Sequence, residues 1–98
     1  MQPSSDEPGG RPGLGFKPAY DSNADGCLVE SVIAGGAAAK AGIRDGDVII
    51  ELGESIVFDV RSYSEALQQL TVGEKVKVRV IRGDEILHLD ATVGRSMR

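Results

Sequence analysis

Gly13 and Gly15 bracket Leu14 immediately ahead of Phe16, in the run Pro12-Gly13-Leu14-Gly15-Phe16. Glycine permits positive φ and close approach of backbone, so such a turn can aim successive N–H groups into one concavity. The amides of Leu14, Gly15 and Phe16 would then suit a small anion, and the terminal carboxylate of a peptide is one candidate. The same glycine pair also closes ordinary turns. Arg11, at the edge of the turn, is a cation that could reinforce anion binding, although a solvated arginine is the simpler state.

No other residues assemble into chemistry. His88, the single histidine, falls on the polar side of an alternating strand and reads as solvent-facing. There is no Gly-x-Ser-x-Gly elbow, and no second histidine to complete a metal site. Asp45 and Asp47 flank Gly46, where such pairs shape a turn. Cys27 is alone, which excludes an internal disulfide and a cysteine zinc site; beside Leu28 and Val29 it reads as a small buried side chain. Asp21-Ser22-Asn23-Ala24-Asp25-Gly26 matches the first half of a calcium loop, but Val32 stands at the twelfth position where a bidentate Glu belongs. A hairpin turn rich in Asp and Asn is the expectation there, with no cofactor and no metal. We therefore expect no enzyme active site.

The 98 residues make one domain, and 41% apolar content with no Trp and four aromatic residues leaves Val, Ile, Leu and Ala to fill the core. Eleven basic against fifteen acidic residues give a net charge of −4, and no basic block is dense enough for a nucleic-acid face. No apolar run is long enough to span a bilayer, and no signal-peptide pattern is present. Residues 1–11, dense in Pro, Gly, Ser and charge, read as a disordered linker; residues 12–94 are the folded domain, and 95–98 a disordered tail.

The elements that must hold the glycine turn follow in order. Phe16 to Tyr20 and Cys27 to Ile33 read as strands, and Ala37 to Ala41 as a short alanine helix stopped by Gly42. Val48 to Leu52 is continuously apolar, as for a strand buried on both faces, and Ser55 to Phe58 is a short strand. Asp59 or Ser62 can cap a helix running to about Leu70. Its apolar positions Tyr63, Ala66, Leu67 and Leu70 share one face. Val76, Val78 and Val80 then alternate with Lys75, Lys77 and Arg79, Gly83-Asp84 turns the chain, and Leu87, Leu89, Ala91 and Val93 alternate back. The fold class is mostly β with two helices: five or six short strands curled into a partly open barrel, capped by one short and one longer helix.

This order of motifs resembles the PDZ domain from Arg11 to about Val93. Gly13-Leu14-Gly15-Phe16 is the Gly-Leu-Gly-Phe loop of that family, and Ala37 to Ile49 is similar to its A-x-x-A-G-(I/L)-x-x-G-D-x-I core. A loop that opens the fold and a strand that closes it are similar to the bacterial, circularly permuted type, which rides on exported proteases. The high-temperature-requirement serine proteases and, from Arg11 to Tyr20 with Tyr63 to Leu67, the zinc aminopeptidases are the resembled parents.

The resemblance implies a non-catalytic module that takes a peptide or protein C-terminus by strand addition for an attached protease domain. Gly13, Leu14, Gly15, Phe16, Lys17 and Pro18 would supply the loop and strand, and Tyr63, Ala66, Leu67 and Leu70 the helix. Leu14, Phe16, Leu67 and Leu70 would line the pocket for the last side chain. It further implies a periplasmic or secreted location; charge and hydropathy lead to the expectation of no nucleic acid and no membrane insertion, and the isolated domain is expected to be a monomer. Tyr63 departs from the histidine common at its place, and Pro18 lacks the N–H that the strand should next donate. Both departures point to weak or short-footprint binding. They also keep a rival open, a PDZ-like domain that packs on a neighbouring catalytic domain without taking free peptide.

Overall fold

The computed structural model describes residues 12–19 and 25–95, with the backbone alone at Arg95. Arg11, Tyr20, the Asp21–Ala24 part of the acidic turn, the linker 1–11 and residues 96–98 lie outside the described residues. Among the described residues eight strands and two helices run in the order β1 (Pro12–Gly13), β2 (Phe16–Pro18), β3 (Cys27–Val32), α1 (Ala37–Ala41), β4 (Val48–Leu52), β5 (Ser55–Ile56), α2 (Val60–Gln68), β6 (Lys75–Arg82), β7 (Glu85–Thr92) and β8 (Gly94–Arg95). Six of the strands form one antiparallel sheet in the order β2-β3-β4-β6-β7, with β5 paired to β4, and this makes β2 an edge strand. The fold is the mostly β, two-helix architecture that the order of elements along the sequence indicated.

The core is built from branched aliphatics. Leu14, Val29, Ile49, Leu52, Val57, Val78, Val80 and Val93 are each 1% exposed or less, with Cys27 among them. Burial of side chains this size contributes roughly 1.5–3 kcal/mol each before the entropy of ordering the chain is charged against it. β6 alternates as its sequence dictates, with Val76, Val78 and Val80 inward and Lys75, Lys77 and Arg79 outward. α2 starts in a capping box. Asp59 Oδ1 accepts the Ser62 N–H at 2.8 Å, and Ser62 Oγ accepts the Asp59 N–H at 3.1 Å. Tyr63 and Ala66 form its buried face.

Four expectations need correction. Arg95 is not part of a disordered tail: Gly94–Arg95 pairs antiparallel with Pro12–Gly13, so the chain enters and leaves the domain side by side. The strand expected from Phe16 to Tyr20 ends at Pro18, although Ala19 N–H still donates to Leu28 O at 2.9 Å; Tyr20 lies outside the described residues. β5 ends at Ile56 because the Phe58 N–H donates to Ser62 Oγ at 2.9 Å instead of to a ladder, leaving Phe58 63% exposed. β4 is buried on one face only. Its other face carries Glu51, which meets Arg79 at 3.1 Å.

Among the described residues Asp47 is the one buried charged side chain, 1% exposed. Arg82 Nε donates to its Oδ1 at 2.8 Å and Arg82 Nη2 to its Oδ2 at 2.7 Å, while Nη2 also donates to Gly42 O at 2.8 Å. The Arg44 N–H donates to Oδ2 at 2.9 Å. Burial disfavours the charged carboxylate, but the Arg82 hydrogen bonds, the Arg44 amide and the two guanidinium charges outweigh it, holding Asp47 below the usual aspartate range. A carboxyl depressed by folding stabilises the fold above its unfolded pKa of about 3.9, and that contribution disappears as pH falls through the lower folded value. Asp47→Asn should therefore cost about 3 kcal/mol at pH 7. In urea titrations the gap to the unaltered protein should narrow steadily below pH 4; a gap that does not change with pH would show that the ionised pair is not its source.

Candidate functional site

The glycine turn is held from behind by α1 and the segment leading into it. Leu14 O accepts the Ala38 N–H at 2.6 Å, and Gly15 O accepts the Ile33 N–H at 2.9 Å. No peptide bond among the described residues is cis, so each N–H points opposite to the carbonyl of the preceding residue. With the Leu14 and Gly15 carbonyls turned inward, the Gly15 and Phe16 N–H groups face outward, away from α1 and β3. Gly15 has φ +78°, and a Cβ there would stand 3.2 Å from the Gly36 Cα. The turn is thus a pair of outward donors at Gly15 and Phe16, backed by two glycines in contact.

Parity along β2 extends the row of donors. Phe16 faces Val32 as a pair flanked by the Ile33 N–H to Gly15 O bond, so the Phe16 N–H and C=O point to the free edge. Val32 N–H correspondingly points away from β2 and donates to Asp45 Oδ1 at 2.9 Å. Ala19 N–H points toward β3, so position 18 again faces the free edge. That position is Pro18, which has a carbonyl to offer and no N–H. The edge therefore presents Phe16 N–H, Phe16 O and Pro18 O.

α2 closes the other side. The Phe16 and Tyr63 rings lie 5.1 Å apart at 51°, in the tilted geometry aromatic pairs favour. Tyr63 is 6% exposed, and burial first, then the neighbouring Cys27, pushes its phenol well above the ordinary tyrosine range. The expected pocket lining is only partly available. Leu14, Tyr63 and Ala66 are core residues, whereas Phe16, Leu67 and Leu70 are half-buried and retain surface. Ala66 and Leu70 also line a cavity of 480 Å³ on the flank of α2 toward the β4–β5 turn, with Leu52, Gly53 and Lys75. Of the expected pocket residues, Phe16 beside Tyr63 and Leu67 one turn further along α2 keep exposed surface outside that cavity.

The remaining candidates stand as structural residues or outside the site. Cys27 is fully buried, and burial together with the nearby Asp59 charge pushes its thiol up to about 12. Asp45 Oδ1 accepts the Val32 N–H at the end of β3, and Asp47 Oδ2 accepts the Arg44 N–H of their own loop. His88 is exposed on β7. Among the described residues no three His, Cys, Asp or Glu side chains gather as a metal site, and no helix is long and apolar enough to cross a membrane. Sequence reading missed the Arg82–Asp47 pair. The available signal was parity: Arg82 follows Val76, Val78 and Val80 in the inward phase, where a cation needs a buried partner.

Comparison with known proteins bears on the family and the fold. A family model described as "PDZ domain" matches residues 10–93. A probable periplasmic serine endoprotease, DegP-like, from Rickettsia prowazekii is 31% identical over 80 residues, which is 82% of this chain and 15% of that protein. The chain thus spans under a fifth of that relative's length. Among solved structures, an HtrA-type protease, AlgW with a tripeptide, superposes with TM-score 0.74 at 26% identity, covering 86% of this chain and 31% of the other. An aminopeptidase N family protein from Idiomarina loihiensis gives TM-score 0.76 at 26% identity, over 87% of this chain and 14% of the other.

Two outcomes follow from the turn and its surroundings. Gly15→Val adds a side chain both at positive φ and against Gly36, so it should unfold or displace the turn and lower the urea midpoint; an unchanged midpoint with unchanged amide shifts at Ile33 and Ala38 would contradict the packing. The Cys27 thiol should react with a maleimide or aromatic disulfide reagent only at the rate of unfolding, speeding up with added urea. Fast labelling of the native protein would contradict its burial.

Proposed function

The chain belongs to the PDZ domain family, a family of non-catalytic modules, and from that premise we propose that it captures peptide C-termini by strand addition to β2. The observation that carries this reading is the pair of outward amides at Gly15 and Phe16 on the end of an unpaired edge strand. A terminal carboxylate would accept from those donors, and the ligand backbone would continue antiparallel to β2. Its last side chain would rest on Phe16 and Leu67 and so be apolar. Gly13, Leu14 and Ala66 support this surface from within; Lys17 and Pro18 carry the strand onward.

The ladder would be short. Beyond the Phe16 donor the edge offers only the Pro18 carbonyl, so the third-from-last ligand residue can donate to it but finds no N–H for its own carbonyl. The Tyr63 ring against Phe16 narrows the groove at the same place. Binding is accordingly weak and dominated by the final two or three residues. The relatives' names support a setting in which the domain serves an attached protease in an exported compartment, with the protease domain as its neighbour.

The same two features favour a second reading, in which the narrowed groove stays empty and the domain packs on or positions that neighbour. Amide-shift titrations with peptides ending in apolar residues, in free-acid and amidated forms, separate the two. Shifts at Leu14, Gly15, Phe16 and α2 that need the free acid are expected; no shift at millimolar peptide would leave the packing role. Pro18→Ala returns a donor to the edge and should tighten free-acid binding about fivefold, as one recovered hydrogen bond would. Unchanged affinity would show that the ligand does not run along β2.

A further inference from the structure

Lys17 and Glu30 form a feature that peptide capture alone does not use. The register runs Lys17↔Ser31 and then Pro18↔Val29, so Glu30 is an extra residue on β3 with no partner on β2. Bulges of this kind re-aim a side chain. Here the bulged residue brings its carboxylate 3.6 Å from Lys17 Nζ, with both side chains more than half exposed, at 66% for Lys17 and 52% for Glu30. The pair sits on the opposite face of the sheet edge from Phe16, since neighbouring residues along a strand point to opposite sides.

Strand addition fixes what would lie beside it. With the terminal carboxylate at the Gly15 and Phe16 amides, the last ligand residue pairs with Phe16, and the penultimate residue stands directly opposite Lys17. That pair is the non-hydrogen-bonded kind, in which the facing Cα atoms approach to about 4.5 Å and the side chains share a face. The Lys17 ammonium is then the nearest charge to the penultimate side chain. Glu30 belongs to the next strand, about 4.8 Å further from the ligand, so a basic ligand residue would have to reach past Lys17 to meet it. The existing pair is long and solvated, and such a pair is worth little, so Lys17 can turn to a ligand carboxylate at small cost.

We infer that Lys17, positioned by the Glu30 bulge, selects an acidic penultimate residue in the peptides this domain takes. The inference rests on the strand-addition reading above. The net charge of −4 opposes acidic ligands at long range, so the preference is local and its sign is set by this one lysine.

The test uses two acetylated hexapeptides with free C-termini, identical except for ending in Glu-Val or Lys-Val, titrated into the protein by amide shifts. The Glu-Val peptide should bind about three to five times more tightly. Lys17→Glu should reverse the order, Lys17→Gln should abolish it, and Glu30→Gln should widen it by removing the competing carboxylate. Raising the salt to 0.5 M should shrink every difference. Equal affinities for both peptides, or a ratio that Lys17→Glu leaves in place, would overturn the assignment while leaving peptide capture standing. Absence of any free-acid-dependent shift with either peptide would overturn capture, and this inference with it.

Discussion

The Arg82–Asp47 pair is the constraint from which the arrangement around the glycine turn follows. Removing a carboxylate from water is costly, and an interior ion pair recovers that cost only with close, complete hydrogen bonding. Here both Asp47 oxygens are met by the guanidinium fork, one of them also by the Arg44 amide, and among the described residues no buried side-chain polar atom is left without a partner. The same guanidinium reaches Gly42 O, the residue that ends α1 in the left-handed conformation. One side chain at the end of β6 thus ties together the exit of α1 and the loop into β4. Asp47 O in turn accepts the Val29 N–H at 2.8 Å, extending the tie to the middle of β3.

That tie matters for the ligand edge because α1 is the back wall of the glycine turn. Ala38, buried in α1, donates to Leu14 O, and Gly36 touches Gly15. A helix of five residues has little stability of its own, so its position is fixed by what its ends are bonded to. Arg82 fixes the C-terminal end, and the turn leans on the N-terminal end. The outward direction of the Gly15 and Phe16 amides is then a consequence of inward bonds that the fold has already made. Preorganisation of this kind lowers the entropy a weak, short ligand must overcome.

Much of this was legible in the sequence, and the limits have physical causes. α2 announced itself by period and cap, with Tyr63 and Ala66 on its buried face and Asp59 and Ser62 at its start. The β6–β7 hairpin was visible in strict alternation around Gly83-Asp84. The Gly-Leu-Gly-Phe loop located the candidate site, and Pro18 was recognised as a missing donor before its outward parity could be seen. What remained hidden depended on pairing between distant segments. Two-residue strands such as Gly94–Arg95 have no period to detect. The Glu30 bulge exists only in the register between β2 and β3. The Asp47–Arg82 bond joins residues 35 positions apart, and Arg-Asp-Gly-Asp alone reads as a turn. Leu14, expected in the pocket, is 1% exposed, because a side chain beside a binding loop can fill the core.

The most direct measurement is native-state amide exchange at Ala38, Ile33 and Val32, compared with Val78 and Val80 in β6, for the unaltered protein and for Arg82→Leu. The account predicts that the substitution sharply lowers protection at Ala38, Ile33 and Val32, around α1 and the turn, while the β6 amides lose only what global stability loses. Equal loss of protection at every one of these amides would contradict the claim that this pair positions the binding edge, leaving it as one more contribution to overall stability.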